Sequence, residues 1–282
     1  MIEISGTTRI FFVIGWPVEQ VKAPALFNAY FKKHDLDARV VPLKIEPAAY
    51  TNAIRTLMAI ENVGGIFVSI PHKPMSVTAV DEVTLRARLA GACNAIYKAA
   101  DGKTIIGDLI DGEGFVRGLD RTCAETPFNW KQSNALVVGS GGVGCAIAAS
   151  LASRGIANVS IYDTRTEQAQ ALQARLQEAF PATKVSIGKP SAEGYDLIVN
   201  STPLGMHPDD PLPLDLTGLS PSCIVSDCGM KIEMTKLLTA AQENGCRIQK
   251  GREMMIEQSP LYLELFGWPG VSSDAFRNLG VL

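Results

Sequence analysis

Three glycines and an acid carry the plainest chemistry in this sequence. Gly139, Gly141 and Gly144 fall in a G-x-G-x-x-G spacing, and Asp163 closes an apolar run nineteen residues beyond the last of them. In such a unit the first glycine permits a tight turn and the second lets main chain approach a pyrophosphate. The third lets a helix pack closely on its strand. The pyrophosphate then rests on the unpaired amides of the helix start, here Gly142 and Val143. Asp163 can accept hydrogen bonds from both ribose hydroxyls of an adenosine. A carboxylate there repels a 2′-phosphate, so the expected cofactor is NAD, with NADP less favoured. Arg165 can pair with such a phosphate, or equally be a solvated charge at a helix start.

These groups need a strand, a tight turn, a helix and a second strand. Residues 135–138 form a short apolar run suited to a buried parallel strand, and residues 145–151 turn to Ala, Ile and Leu, as a helix packed on a sheet requires. Residues 159–162 make the second strand, ending at Asp163. The whole unit is a far stronger signal than the glycines alone. No charged residue falls between Gln132 and Ser153, a length that reaches across a bilayer, but five glycines and serines at 139–144 oppose a membrane helix.

Upstream, strand and helix alternate: strands at 9–15, 38–43 and 66–70, helices at 25–31, 48–60 and 75–80, and a hairpin of 92–97 with 103–106. This predicts a small open α/β sheet. A loop is expected at 122–133. Downstream lie a helix at 167–180, strands at 196–200, 223–227 and 247–249, and helices at 235–244 and 251–265. The fold class is therefore α/β in two domains. An open α/β substrate domain takes residues 1–114 plus 251–282, and a doubly wound, Rossmann-type parallel-sheet domain takes 115–250.

The length of 282 residues accommodates two cores, and 46% hydrophobic with 20% charged residues is ordinary for a soluble α/β protein. A net charge of −3 offers no basic field for nucleic acid or an anionic membrane. Six scattered cysteines without a C-x-x-C pair read as free thiols in a reducing cytoplasm, and three distant histidines suggest no metal site. The partner class is a small molecule, and the oligomeric state is not encoded in these patterns.

Several further motifs stand in order: V-S-I-P-H-K at 68–73, G-A-C-N-A at 91–95, G-D-L-I-D-G at 107–112, N-S-T-P-L-G-M at 200–206, and G-R-E-M-M-I-E-Q at 251–258. Together they resemble the shikimate/quinate dehydrogenase family nearly end to end. The resemblance implies a cleft between substrate and nucleotide domains, and reversible oxidation of a ring hydroxyl of shikimate, quinate or a related cyclic hydroxy acid. It also implies that Lys73 exchanges the hydroxyl proton while Asp111 orients it and bonds the substrate hydroxyl. Ser69, Asn94 and Gln258 match positions that bond substrate. Thr202, Pro203, Gly205, Met206 and Gly251 match positions around the cofactor.

Several positions depart from the family pattern. Val21 and Ala23 replace two serines that bind the substrate carboxylate, leaving Lys22 as the replacement contact; Phe67 replaces an Asn, His72 a Phe and Met230 a Tyr. Loss of those hydroxyls points to a less polar or differently substituted ring. The alternative function is a non-catalytic NAD-binding sensor on the same fold.

Overall fold

The computed structural model describes residues 4–281. The chain forms two compact units, one of residues up to Ile110 together with those from Ser259 on, the other Asp111–Gln258. The sequence reading puts these divisions at 114/115 and 250/251; compaction puts them at 110/111 and 258/259.

In the first unit β1 (Arg9–Gly15) lies between β2 (Ala38–Lys44) and β3 (Val63–Val68), all parallel. Helices α1 (Ala23–Lys33) and α2 (Tyr50–Met58) make the crossovers. Beyond β3 follow the short α3 (Ser76–Ala79), the edge strand β4 (Glu82–Val83), α4 (Leu85–Ala90) and the hairpin strands β5 (Ala95–Lys98) and β6 (Ile105–Asp108). The sheet order is β2-β1-β3-β5-β6-β4, with β5 antiparallel to both β3 and β6. One face buries Ile14, Tyr50, Ile54, Met58, Ile66 and Ile96. Strand β3 starts three residues earlier than its apolar run, taking in Gly64 and Gly65. A Cβ at either would run into an aromatic ring, Phe11 or Phe266, so the glycines admit those rings rather than break the strand.

The second unit opens with α5 (Asp111–Thr122) and carries a wholly parallel sheet. Its strands are β7 (Asn134–Val138), β8 (Asn158–Tyr162), β9 (Lys184–Ile187), β10 (Leu197–Asn200), β11 (Ile224–Asp227) and β12 (Arg247–Gln249), in the order β12-β11-β10-β7-β8-β9. Helices α6 (Gly142–Ser153), α7 (Thr166–Ala179) and α8 (Lys236–Glu243) connect them, and α9 (Gly251–Leu265) runs on into the first unit, followed by α10 (Ser273–Arg277). The strand order reverses at β7, flanked by β8 and β10, which is where a doubly wound sheet opens a crevice for a ligand. The Ala-rich α6 is buried continuously from Gly144 to Ala152. No helix among the described residues is long and apolar enough to cross a membrane.

Helix α5 is absent from the sequence reading for a physical reason. Gly112, Gly114 and Gly118 lower its helix propensity by about 1 kcal/mol each relative to Ala. A Cβ at Gly112 would collide with Ala146 O and Ser150 Oγ on α6, and one at Gly114 would lie 2.6 Å from Gln258 Cβ on α9. Close helix packing, not propensity, selects those residues.

Candidate active site

At the end of β7 the chain turns through Gly139, whose φ of +98° suits a residue without a Cβ. The Gly139 amide donates to Tyr162 O (2.7 Å), tying the turn to β8. A Cβ on Gly144 would strike Gly139 O, and one on Gly141 would meet nothing within 4 Å. Gly141 is the N-cap of α6, with no side-chain cap and no acid in the first turn. Open space above Gly141 and uncapped amides at Gly142 and Val143 fit a dinucleotide pyrophosphate.

Asp163 directly follows β8, its carboxylate turned back to this turn. Oδ2 accepts from the Ser140 amide (2.7 Å) and Ser140 Oγ (2.7 Å), while Oδ1 accepts from the Arg165 amide (2.9 Å) and Arg165 Nε (3.3 Å). Burial alone would raise its pKa; the bonds from Arg165 and Ser140 outweigh burial and hold the carboxyl well below the usual carboxylate range. The Asp163 side chain is 6% exposed and that of Arg165 is 60% exposed. The guanidinium, not the carboxylate, is the group this strand end presents to solvent.

The segment after β10 completes this side. Ser201 Oγ donates to Val138 O (2.8 Å) and Gly139 O (2.9 Å), fastening it to the glycine turn. Thr202 is half-buried, Pro203 and Met206 are exposed, and Gly205 has a φ of +98°. Gly251 opens α9 where a Cβ would strike Gly229 O, so the glycine lets α9 start against the chain after β11.

In the first unit, backbone bonds gather three of the expected residues at the carboxyl end of β3. The Ser69 amide donates to Ile14 O (2.8 Å), the Val68 amide to Asn94 O (2.7 Å) and the Cys93 amide to Lys73 O (2.9 Å). Asn94 is buried, and its Oδ1 accepts from the Ile110 amide (3.0 Å). Lys73 and Ser69 are half-buried. Lys22 stands apart from these bonds, exposed at the start of α1, between half-buried Val21 and buried Ala23. Phe67 is buried among rings, its centroid 4.7 Å from Phe27, 4.4 Å from Tyr262 and 5.1 Å from Phe266. Tyr262 Oη in turn donates to Asn94 O (3.2 Å). His72 is fully buried and stacked on Tyr50 at 4.4 Å, with Nε2 2.8 Å from Ile45 O.

Asp111 and Gln258 belong to the second unit, each 5% exposed or less. Gln258 Nε2 lies 3.7 Å from Met255 Sδ on α9, the helix that α5 meets at Gly114. Four residues beyond the sequence-derived site organise this unit: Ser140, Asn200, Ser201 and Asp227. Asp227 carried a readable signal, since it closes a buried apolar run just as Asp163 does. Ser140 carried none beyond its place between two glycines.

Two family models match, the shikimate dehydrogenase substrate binding domain over residues 13–96 and shikimate/quinate 5-dehydrogenase over residues 122–205. Shikimate dehydrogenase (NADP(+)) of Rhodospirillum rubrum is 34% identical, covering 97% of each chain. That of Desulforamulus reducens is 33% identical, covering 98% of this chain and 96% of the relative. A crystal structure of shikimate dehydrogenase in complex with NADP+ superposes with a TM-score of 0.87 at 28% identity, covering 98% of this chain and 96% of that one. The relatives' naming for NADP(+) overturns the expectation of NAD drawn from Asp163. The geometry supplies the reason. The carboxylate's acceptor directions are taken up by Ser140 and Arg165, and the exposed cation of Arg165 is the partner a 2′-phosphate requires. With both models falling within the two units and relatives above 30% identity along nearly the whole length, the chain belongs to the shikimate/quinate dehydrogenase family of NAD(P)-dependent oxidoreductases.

Proposed function

We propose that this chain interconverts a ring hydroxyl and the corresponding ketone on shikimate, quinate or a related cyclic hydroxy acid, with NADP as its dinucleotide. The observation that carries the proposal is the grouping of Lys73, Ser69 and Asn94 at the end of β3, in a segment similar to a substrate-binding domain. Bound NADP(H) supplies or accepts the hydride at its nicotinamide. Lys73 takes the hydroxyl proton in oxidation and returns it in reduction, and Asp111 accepts a hydrogen bond from the same hydroxyl. Asn94 and Ser69 orient the ring through its other hydroxyls, and Gln258 adds a further amide contact. The glycine turn and Arg165 hold the pyrophosphate and the 2′-phosphate.

Val21 and Ala23 offer no hydroxyl to a substrate carboxylate, and Lys22 supplies a point charge in their place. A charge without the two fixed donors tolerates more ring substitution and binds less tightly. A reducing cytoplasm suits the six cysteines, which form no disulfide. The test is initial-rate kinetics with NADP on shikimate, quinate and a panel of cyclic hydroxy acids, beside Lys73→Ala. Turnover in the unaltered protein, falling about 10²–10⁴-fold in the variant with NADP binding kept, is the expected result. Undiminished activity in Lys73→Ala would remove the proposed proton transfer.

A further inference from the structure

Asp227 is a buried carboxylate with no place in the chemistry above. It is 1% exposed at the end of β11, and Asn200, at the end of the neighbouring strand β10, is fully buried beside it. Oδ2 accepts from Asn200 Nδ2 (3.0 Å) and Thr235 Oγ1 (2.9 Å), and Oδ1 from the Gly229 amide (2.9 Å). The three donors are neutral groups, and between them they satisfy both buried carboxyl oxygens.

The consequence lies in Asn200. Both carboxyl oxygens of Asp227 are acceptors here, so they set which way the Asn200 amide points. The NH2 group faces Asp227 and donates again to Leu204 O (2.8 Å). The carbonyl Oδ1 then faces the other way, accepting from the Thr202 amide (3.1 Å) and Thr202 Oγ1 (2.7 Å). Thr202 Oγ1 accepts in turn from the Leu204 amide (3.2 Å). All four hydrogen-bonding directions of one buried amide are thus used to fold residues 200–204 into one shape. Asp210 Oδ2 holds the next turn, accepting from the Gly205 amide (3.0 Å) and the His207 amide (2.9 Å). Exposed Pro203 and Met206 project from a segment fixed at both ends.

We infer that Asp227 is a positioning residue for hydride transfer: through Asn200 it fixes the 202–206 segment against which the nicotinamide half of the dinucleotide seats. The inference rests on the proposed dinucleotide chemistry for what this segment touches. An Asn at position 227 can turn its own NH2 toward Asn200, and the two amides then compete over orientation. Thr235→Val removes one donor to Asp227 together with the cap that Thr235 Oγ1 gives the Leu238 amide at the start of α8, and leaves the carboxylate, so it keeps the inference testable if the first variant folds poorly.

The experiment combines turnover with two binding probes, NADPH and 2′,5′-ADP, the latter lacking the nicotinamide half. Asp227→Asn is expected to lower kcat by ten- to a hundred-fold, the scale of a misplaced reacting group. It should also abolish the change in NADPH fluorescence on binding while keeping 2′,5′-ADP affinity within about two-fold. Thr235→Val should follow in the same direction by a few-fold, with Thr235→Ser restoring the original values. Unchanged kcat and NADPH fluorescence in Asp227→Asn, or 2′,5′-ADP affinity falling in step with that of NADPH, would overturn the positioning role. Absence of turnover in the unaltered protein with NADPH still bound would overturn the proposed substrate class instead, and the fluorescence would still decide the role of Asp227.

Discussion

The two units build their functional ends by opposite means. In the first, the end of β3 is held by bulk: Phe67 fills a pocket walled by Phe27, Tyr262 and Phe266, and Tyr262 reaches from there to Asn94 O. In the second, the end of β7 is held by absent side chains, with Gly139 at a positive φ and Gly144 pressed on Gly139 O. Bulk accepts substitution by residues of another shape, at the cost of repacking. A Cβ missing because backbone presses against it, as at Gly144, accepts none. Phe67 sits among rings that can repack around another shape, whereas the glycine turn has no room for a Cβ at Gly144.

Removing bulk from the first unit should therefore do most. Phe67→Ala is expected to destabilise it by about 3–5 kcal/mol, as loss of a buried ring does, read as a denaturation midpoint confined to one of two transitions. In the second unit the damage comes from adding an atom. Gly144→Ala should cost about 1–3 kcal/mol through overpacking and weaken NADP binding, whereas Gly141→Ala should leave the unfolding of the free protein within about 0.5 kcal/mol. Equal effects of the two alanines would erase the contrast. Arg165→Ala, at the rim of the same turn, is expected to raise the KM for NADP about ten-fold, as loss of one charged hydrogen bond does, and to leave the KM for NAD unchanged. A parallel rise for both would detach Arg165 from the 2′-phosphate.

The smallest effect is a pH dependence in the first unit. Burial pushes His72 below its ordinary value of 6.5, against a smaller upward pull from Ile45 O. The unfolded chain takes up a proton as pH falls through 6.5 while the folded form resists, so stability declines below that pH. His72→Phe keeps the ring on Tyr50 and loses the Ile45 bond, about 0.5–1.5 kcal/mol at neutral pH. Its deficit should shrink as pH falls below 6.5, as read by urea midpoints at a series of pH values. A deficit that stays constant would mean that His72 takes up its proton in the folded chain over the same pH range as in the unfolded one.

Legibility followed the same division. The glycine turn, its two strands and its helix were readable because local backbone requirements dictate residue type at fixed spacing. Asp163 was readable as a strand-ending acid, but its role was not. Whether it faces a ribose or the turn behind it depends on Ser140 and Arg165 wrapping the carboxylate, a side-chain choice with no sequence period. Asp227 and Asn200 pair across adjacent strands twenty-seven residues apart, beyond any local pattern.

The sequence by itself determined the two-sheet α/β architecture, the family and the glycine-rich turn, because strand periodicity, glycine spacing and short motifs are properties of neighbouring residues. Tertiary structure alone decided that the glycine-rich stretch after Asp111 is the helix α5, that Phe67 belongs to an aromatic core, and that Arg165 is the group exposed beyond β8. Each of those outcomes depends on which atoms occupy the space beside a residue, and that space is filled by parts of the chain far away in sequence.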